Sequence, residues 1–433
     1  MSNSRRQIAL AAVFALAAVA LTSRAVAAQD GGAQGGGAQG GGAQGGGAQA
    51  AGAQDATPAS RAAIIEQAQA EKAANLTAFQ PGRVEAFLNG VEQAMLLGSQ
   101  RIHPFFDSAY AGGGFTIGAG YAKYVSPYSF VDLRGSITGK GYVRLEAALI
   151  SPRVFDRRGT LTVIGGWRQA TQVGFYGTGM QTSVQDRTNY RFNQPYGSAD
   201  LDFLPTRKLL VLHGGVELSR WNLGSGKGDV PSIDTVYTPE TLPGVGTSTT
   251  YFHTEAGVAI DSRPAADYAR HGGYYGITFH DFNDTSNNTF GFRRTDYEAI
   301  QHIPILRETW VISLHGRLQL ADAANNQTIP FFMLPSLGGG SSLRAYNSWR
   351  FRDRNSLLLQ AEWRVIANRF LDVALGYDAG RVANRRSDLT SSPLKSDYGI
   401  GVRFHGQIAT PLRVELFHGS EGWNIVFSAK AAF

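Results

Sequence analysis

From about residue 101 onward the chain alternates apolar and polar side chains with a period of two. In GYVRLEAALI, Val143, Leu145, Ala147 and Leu149 share one face, with Tyr142, Arg144 and Glu146 opposite. In YFHTEAGVAID, Phe252, Thr254, Ala256, Val258 and Ile260 oppose His253, Glu255 and Asp261. WVISLHGRLQL sets Trp310, Ile312, Leu314 and Leu318 against Ser313, His315, Arg317 and Gln319. WNIVFSAKAAF alternates Trp423, Ile425, Phe427, Ala429, Ala431 and Phe433 with Asn424, Ser428 and Lys430. A period of two is that of strands whose two faces meet different surroundings. A soluble sandwich shares the alternation. Three further features separate the two architectures here. The runs are about ten residues, the length that crosses the hydrocarbon when tilted. Aromatics recur near run ends, and the polar face carries ionisable groups. Short connections (SPRVFDRRG, LPTRK, DSRPAADYARHGG) alternate with long ones at 172–187, 223–249 and 323–356. The pattern therefore predicts an all-β, antiparallel transmembrane barrel. Fifteen clear runs lie between residues 113 and 433, and single-chain bacterial barrels have an even number of strands. RIHPFFDSAY (101–110) is the expected first strand, a poor one because Pro104 lacks a donor. The expected count is sixteen.

Ahead of the alternating region the period changes. Residues 58–98 carry two helical patterns; Val84, Phe87, Leu88, Val91 and Met95 form one stripe between Pro81 and Gly98. Residues 31–54 repeat GGGAQ, a composition that buries too little apolar surface to order itself and reads as a tether. Arg5 and Arg6 precede the apolar run IALAAVFALAAVAL, and SRAVAAQ follows, which is the layout of a signal peptide cleaved near Ala27 or Ala28. The expected organisation is a signal peptide at 1–28, a tether at 29–57, a short helical segment at 58–98 and the barrel at 99–433.

Composition narrows the function classes. The 433 residues include no cysteine, which excludes disulfides and thiolate-ligated metal or iron–sulfur centres. A net charge of +6 spread along the strands gives no clustered footprint for nucleic acid. None of G-x-S-x-G, H-E-x-x-H or G-x-x-x-x-G-K-[ST] occurs, so no enzymatic step is expected. His253, His280 and His315 sit on or near strands without ligand spacing, so no metal or other cofactor is expected either.

More specific are the residues after 330. The loop FFMLPSLGGGSSLRAY (331–346), RFRDRN behind it (350–355), and then LQAEWRV, ALGYDAGRV and YGIGVRF follow in fixed order. Upstream, GFYGTG (174–179) and DSRP…GGYYGITF (261–279) belong to the same pattern. Together they resemble the BamA/TamA-like outer membrane proteins, the bacterial surface antigen family, which includes two-partner secretion transporters. The resemblance implies that the loop at 331–350 folds into the lumen. Leu343, Arg344, Ala345 and Tyr346 stand at its V-R-G-F/Y tetrapeptide, with Ala345 in place of glycine. It implies Glu362 and Asp378 as the wall acids that hold Arg344. Alternation independently turns both inward, since Leu359, Ala361, Trp363 and Val365 on one strand, and Leu375 and Tyr377 on the next, take the lipid face. Gly338, Gly339 and Gly340 are read as the hinge that lets the loop turn.

The last strand, with Trp423, Ile425, Phe427 and the terminal Phe433, resembles the family's assembly signal, implying that the protein is itself a client of the outer membrane assembly machinery. Relatives that insert or move proteins carry POTRA domains before the barrel, and the segment at 29–98 leaves no room for one. The expected partners are outer membrane lipid, that machinery and a protein client met at the seam between first and last strands; nucleic acid is not among them. A passive pore, or a translocator for one secreted partner, is the alternative expectation.

Overall fold

The computed structural model describes residues 61–74, 101–206, 209–391, 393–406 and 408–433. The expected signal peptide (1–28), the expected tether (29–57) and the apolar stripe at 84–95 lie outside the described residues. Helix α1 (Arg61–Ala74) forms on an Ala-rich stretch, with Lys72 in its last turn, where a cation suits the helix dipole. No helix among the described residues is long and apolar enough to cross a membrane.

The barrel begins with β1 (Ile102–Pro104), β2 (Thr116–Tyr124), β3 (Phe130–Thr138), β4 (Val143–Arg153), β5 (Gly159–Phe175) and β6 (Thr188–Phe203). It continues through β7 (Leu209–Ser225), β8 (Ser248–Asp261), β9 (Gly272–Asp284), β10 (Phe292–Ile305) and β11 (Trp310–Ala323). Two short strands, β12 (Ser336–Leu337) and β13 (Phe351–Arg352), form a small ribbon of their own. β14 (Asn355–Asn368), β15 (Leu371–Ala383), β16 (Lys395–Phe404), β17 (Leu412–Gly419) and β18 (Gly422–Ser428) complete the wall. Sixteen strands thus make one antiparallel sheet in chain order, with β11 bonded directly to β14. The all-β, sixteen-stranded expectation holds.

The two faces of the sheet differ as the alternation requires. On β14, Leu359 and Trp363 are 45% and 40% exposed while Gln360, Glu362 and Arg364 are buried. Leu133, Leu145, Val216, Val258, Ile260, Phe279, Leu375 and Ile400 likewise point outward. A continuous exposed belt of this size is unsuited to water and suited to acyl chains.

The seam is the weak part of the wall. β1 has three residues, paired as Ile102↔Tyr121, His103↔Gly120 and Pro104↔Ala119. His103 lies over Gly120, where a Cβ would sit 2.3 Å from its Cε1, and its Nε2 lies 2.9 Å from Asp132 Oδ1 on β3. On the other side, no ladder joins β1 to β18 among the described residues. A pair between exposed Lys430 and Asp107, at 2.9 Å, spans the gap.

Two expectations need correction. The last strand stops at Ser428, which pairs with Arg413, and Ala429, Ala431 and Phe433 do not extend the lipid-facing row. Its partner β17 begins at Leu412 behind Pro411, which has no N–H to offer, so the ladder runs out. Phe433 turns inward instead and stacks on His315 with centroids 5.0 Å apart. The second concerns DSRPAADYARHGG, which does not make a tight turn: residues 262–271 reach into the lumen.

Candidate functional site

The loop between β11 and β14 enters the lumen and is held at its tip by Arg344, which is fully buried. Gly338 and Gly339 make the inward turn in the left-handed region, at φ 112° and 101°. Gly340 is not left-handed; a Cβ there would lie 2.8 Å from Val426 Cγ1, so its smallness serves close approach to β18. Ala345 adopts no left-handed angle, so an alanine where the resemblance implied glycine costs nothing in backbone strain here, and its N–H donates to Asp397 Oδ2 at 3.0 Å. Leu343 and Tyr346 pack with Leu337, Phe351, Leu358 and Val382. The Tyr346 hydroxyl reaches Ser396 O at 3.2 Å and Ser420 Oγ at 3.0 Å.

The guanidinium of Arg344 bonds to Asp378 in a fork, Nε to Oδ2 and Nη2 to Oδ1, both at 2.7 Å. Its Nη1 donates to Glu362 Oε1 at 2.5 Å and more weakly to Glu415, both oxygens at 3.3 Å. The planar fork of arginine suits this geometry where a lysine would not. Phe417 lies beneath, with the Arg344 Cζ 4.0 Å from its ring centroid. Room for both comes from glycines. Gly376 and Gly399 face each other across β15 and β16. A Cβ at Gly376 would sit 2.6 Å from Phe417 Cζ and 2.8 Å from Arg344 Nη2.

The network is wider than the two acids named from the sequence. Arg403 donates to Glu362 at 2.5 Å, and Arg413 donates to Glu415 at 2.8 Å and to Gly340 O at 2.9 Å. Gln360 bridges Ser342 O and Asp378, while Asn424 Nδ2 on β18 donates to the loop's Arg344 carbonyl at 2.7 Å. Three guanidiniums thus meet Glu362, Asp378 and Glu415, and no charge in the set lacks an opposite. Burial disfavours the charged Arg344, yet the three carboxylates outweigh it and raise its pKa well above the ordinary value. Glu415, Arg403, Arg413 and Phe417 were readable as inward positions in YGIGVRF and RVELF, where the lipid-facing Ile400, Val402, Leu412 and Leu416 alternate with them.

The same loop also holds the β17–β18 turn and the β5–β6 side of the wall. Arg350 donates to Thr182 Oγ1 at 2.6 Å and to Glu421 at 2.9 Å. Arg352 reaches Tyr190 at 3.2 Å, and Phe331 packs edge-on against Phe175 and Tyr190. At the short-turn end, the 262–271 segment inserts Tyr268. Its hydroxyl donates to Asp372 Oδ2 at 3.1 Å and lies 3.1 Å from His405 Nε2, which in turn lies 3.0 Å from Asp372 Oδ1. Tyr268 also stacks flat on His405 at 4.1 Å, and Arg364 donates to the carbonyl of Ala269. The lumen is therefore occupied at two levels. Of the last-strand residues, Trp423, Ile425 and Phe427 face outward, whereas Phe433 does not join them.

No family model and no curated protein matches the chain. Solved structures do. A BamA from Haemophilus ducreyi lacking POTRA domains 1–3 superposes with a TM-score of 0.55 at 15% identity, covering 73% of this chain and 68% of that one. CdiB from Escherichia coli gives 0.52 at 11% identity, over 75% of this chain and 61% of that one. A sixteen-stranded sheet, a loop pinned inside it by a buried arginine and these two superpositions lead to one conclusion: the chain has the BamA/TamA-like barrel fold.

Proposed function

We propose that this chain is an outer membrane barrel of the assembly or translocation type, which handles a protein client at the seam between β1 and β18. The observation that carries the reading is that seam: a three-residue first strand and, among the described residues, no ladder from it to the last strand. An open edge is a template onto which an extended client segment can add as a further strand. The inward turn of residues 429–433 supports the same reading, since it withdraws the end of the last strand from the wall and lengthens the free edge. The pinned loop keeps the neighbouring strands β14–β18 rigid while the seam opens.

The occupied lumen weighs against a passive pore, the other reading of a sixteen-stranded barrel. Because the chain has no native cysteine, one introduced in Ile102–Pro104 and one in Gly422–Ser428 form the only possible thiol pair. Locking them as a disulfide in cells is expected to abolish function, with activity returning on reduction; a locked barrel that supports wild-type function sinks the proposal. Photo-crosslinking from β18 in cells would capture the client. A large, steady conductance of the wild-type protein in planar bilayers would instead favour the pore.

A further inference from the structure

On the lumenal face of β8 and β9, away from the arginine network, three side chains from two neighbouring strands meet. Glu255 and His280 are directly paired across the two strands, and His253 lies diagonally one step along. Glu255 Oε2 is 3.0 Å from His280 Nδ1 and 3.7 Å from His253 Nε2, and the two imidazole nitrogens are 3.1 Å apart. We propose that His253, Glu255 and His280 form a binding site for one divalent transition-metal ion of the Zn²⁺ class.

The first argument is spacing. Ligands about 2.0–2.2 Å from a zinc ion stand roughly 3–3.5 Å from one another in tetrahedral or wider coordination. The three separations here bracket that range, so small rotations of the rings bring their lone pairs onto a common centre. The second argument is proton bookkeeping. His280 Nδ1 carries at most one hydrogen, and it stands beside both a carboxylate oxygen and His253 Nε2, which donates or accepts according to its tautomer. A cation satisfies all three atoms at once.

The surroundings also favour an ion. The remaining ring nitrogen of His280 faces Asp296 Oδ2 at 3.6 Å, the carboxylate–histidine arrangement that orients a metal-bound imidazole. The other oxygen of Glu255 is held by His213 Nε2 at 2.5 Å, and His213 is fixed in turn by Asp202 at 2.8 Å. His253 stacks flat on Phe282 at 4.1 Å, which sets its ring plane. Arg294, the cation on the neighbouring strand, is paired with Asp296 at 3.0 Å, which leaves Glu255 Oε2 to serve the ion. Two nitrogens and one carboxylate oxygen, with the lumen supplying water to the open positions, suit Zn²⁺ better than Mg²⁺ or Ca²⁺, which prefer oxygen throughout.

The test uses the full chain, folded in detergent and freed of metal by chelation. Isothermal titration with ZnCl₂ is expected to give one saturable site per chain, and Co²⁺ is expected to give the visible absorption of a nitrogen-ligated ion. His280→Ala and Glu255→Gln should each weaken binding at least ~10-fold, the scale seen even for losses in the outer shell of metal sites. His271→Ala, at an exposed position in the 262–271 turn, should change nothing. Gel mobility of unheated samples confirms that each variant is folded. Absence of saturable Zn²⁺ binding, binding unaffected in His280→Ala, or equal binding of Mg²⁺ would each overturn the proposal.

Discussion

Replacing Arg344 by alanine is the sharpest perturbation of the lumenal lock, because the structure says which carboxylate it strands. Glu362 keeps Arg403 at 2.5 Å, and Glu415 keeps Arg413 at 2.8 Å. Asp378 loses its fork and retains Gln360 at 3.0 Å and a backbone N–H at 3.3 Å. One buried carboxylate is thus left without a counter-charge, and removing one partner of a buried pair costs about 3–5 kcal/mol. That cost falls on the docked state of the loop, since an undocked loop lets water reach Asp378. At 1.4 kcal/mol per decade, the undocked population should rise by roughly 10²- to 10³-fold or more.

Trypsin reads this change directly. Arg350 is buried in the docked loop, whereas Arg354 is exposed, so the ratio of cleavage after Arg350 to cleavage after Arg354 is an internal measure of undocking. When opening and closing are fast relative to cleavage, that ratio follows the open population. Adding Asp378→Asn to Arg344→Ala should recover part of the loss, through a coupling of about 1–3 kcal/mol between contacting groups. An increase below ~10-fold in the single variant, or a double variant cleaved faster than either single one, would refute the reasoning.

Four other outcomes follow from the geometry. Gly376→Ala drives a methyl into Phe417 and Arg344 and should cost about 1–3 kcal/mol, seen as a lower temperature at which unheated protein loses its compact gel mobility. Phe433→Cys should react with a water-soluble maleimide, while Phe427→Cys, 67% exposed on the outer face in the wild type, should react only with a membrane-soluble one; the reverse result would return Phe433 to the lipid. Tyr268→Phe removes a hydroxyl from buried Asp372 and should cost about 0.5–1.5 kcal/mol in thermal denaturation. The Tyr268→Ala/Arg344→Ala pair should raise bilayer conductance above either single change, as expected for two closures in series.

Alternation turns Glu362 and Asp378 inward in the sequence and does the same for Arg403 and Glu415, because the adjacent Trp363, Tyr377, Val402 and Leu416 take the lipid face. Their meeting at one height was not legible. Height along a barrel wall depends on the stagger between strands, and that is fixed by turns and bulges such as the register shift between Ile366 and Asn368. The inserted Tyr268 was hidden for a related reason: its partners Asp372 and His405 lie 104 and 137 residues away. His253 and His280 are 27 residues apart and become neighbours only through the β8–β9 register. Gly340 looked like part of a hinge because three consecutive glycines read alike, although only two of them use positive φ.

The wall is also uneven in height. β5 and β7 have 17 residues each, but β18 has seven and β17 eight. At about 3.4 Å per residue and a slant near 40°, seven residues cover only about 18 Å, well short of a hydrocarbon core about 30 Å thick. Beside its last two strands this protein must pinch the bilayer or draw headgroups inward. A polar segment crossing at that place, next to the three-residue β1, meets a shorter oily path than beside the 17-residue β5 and β7.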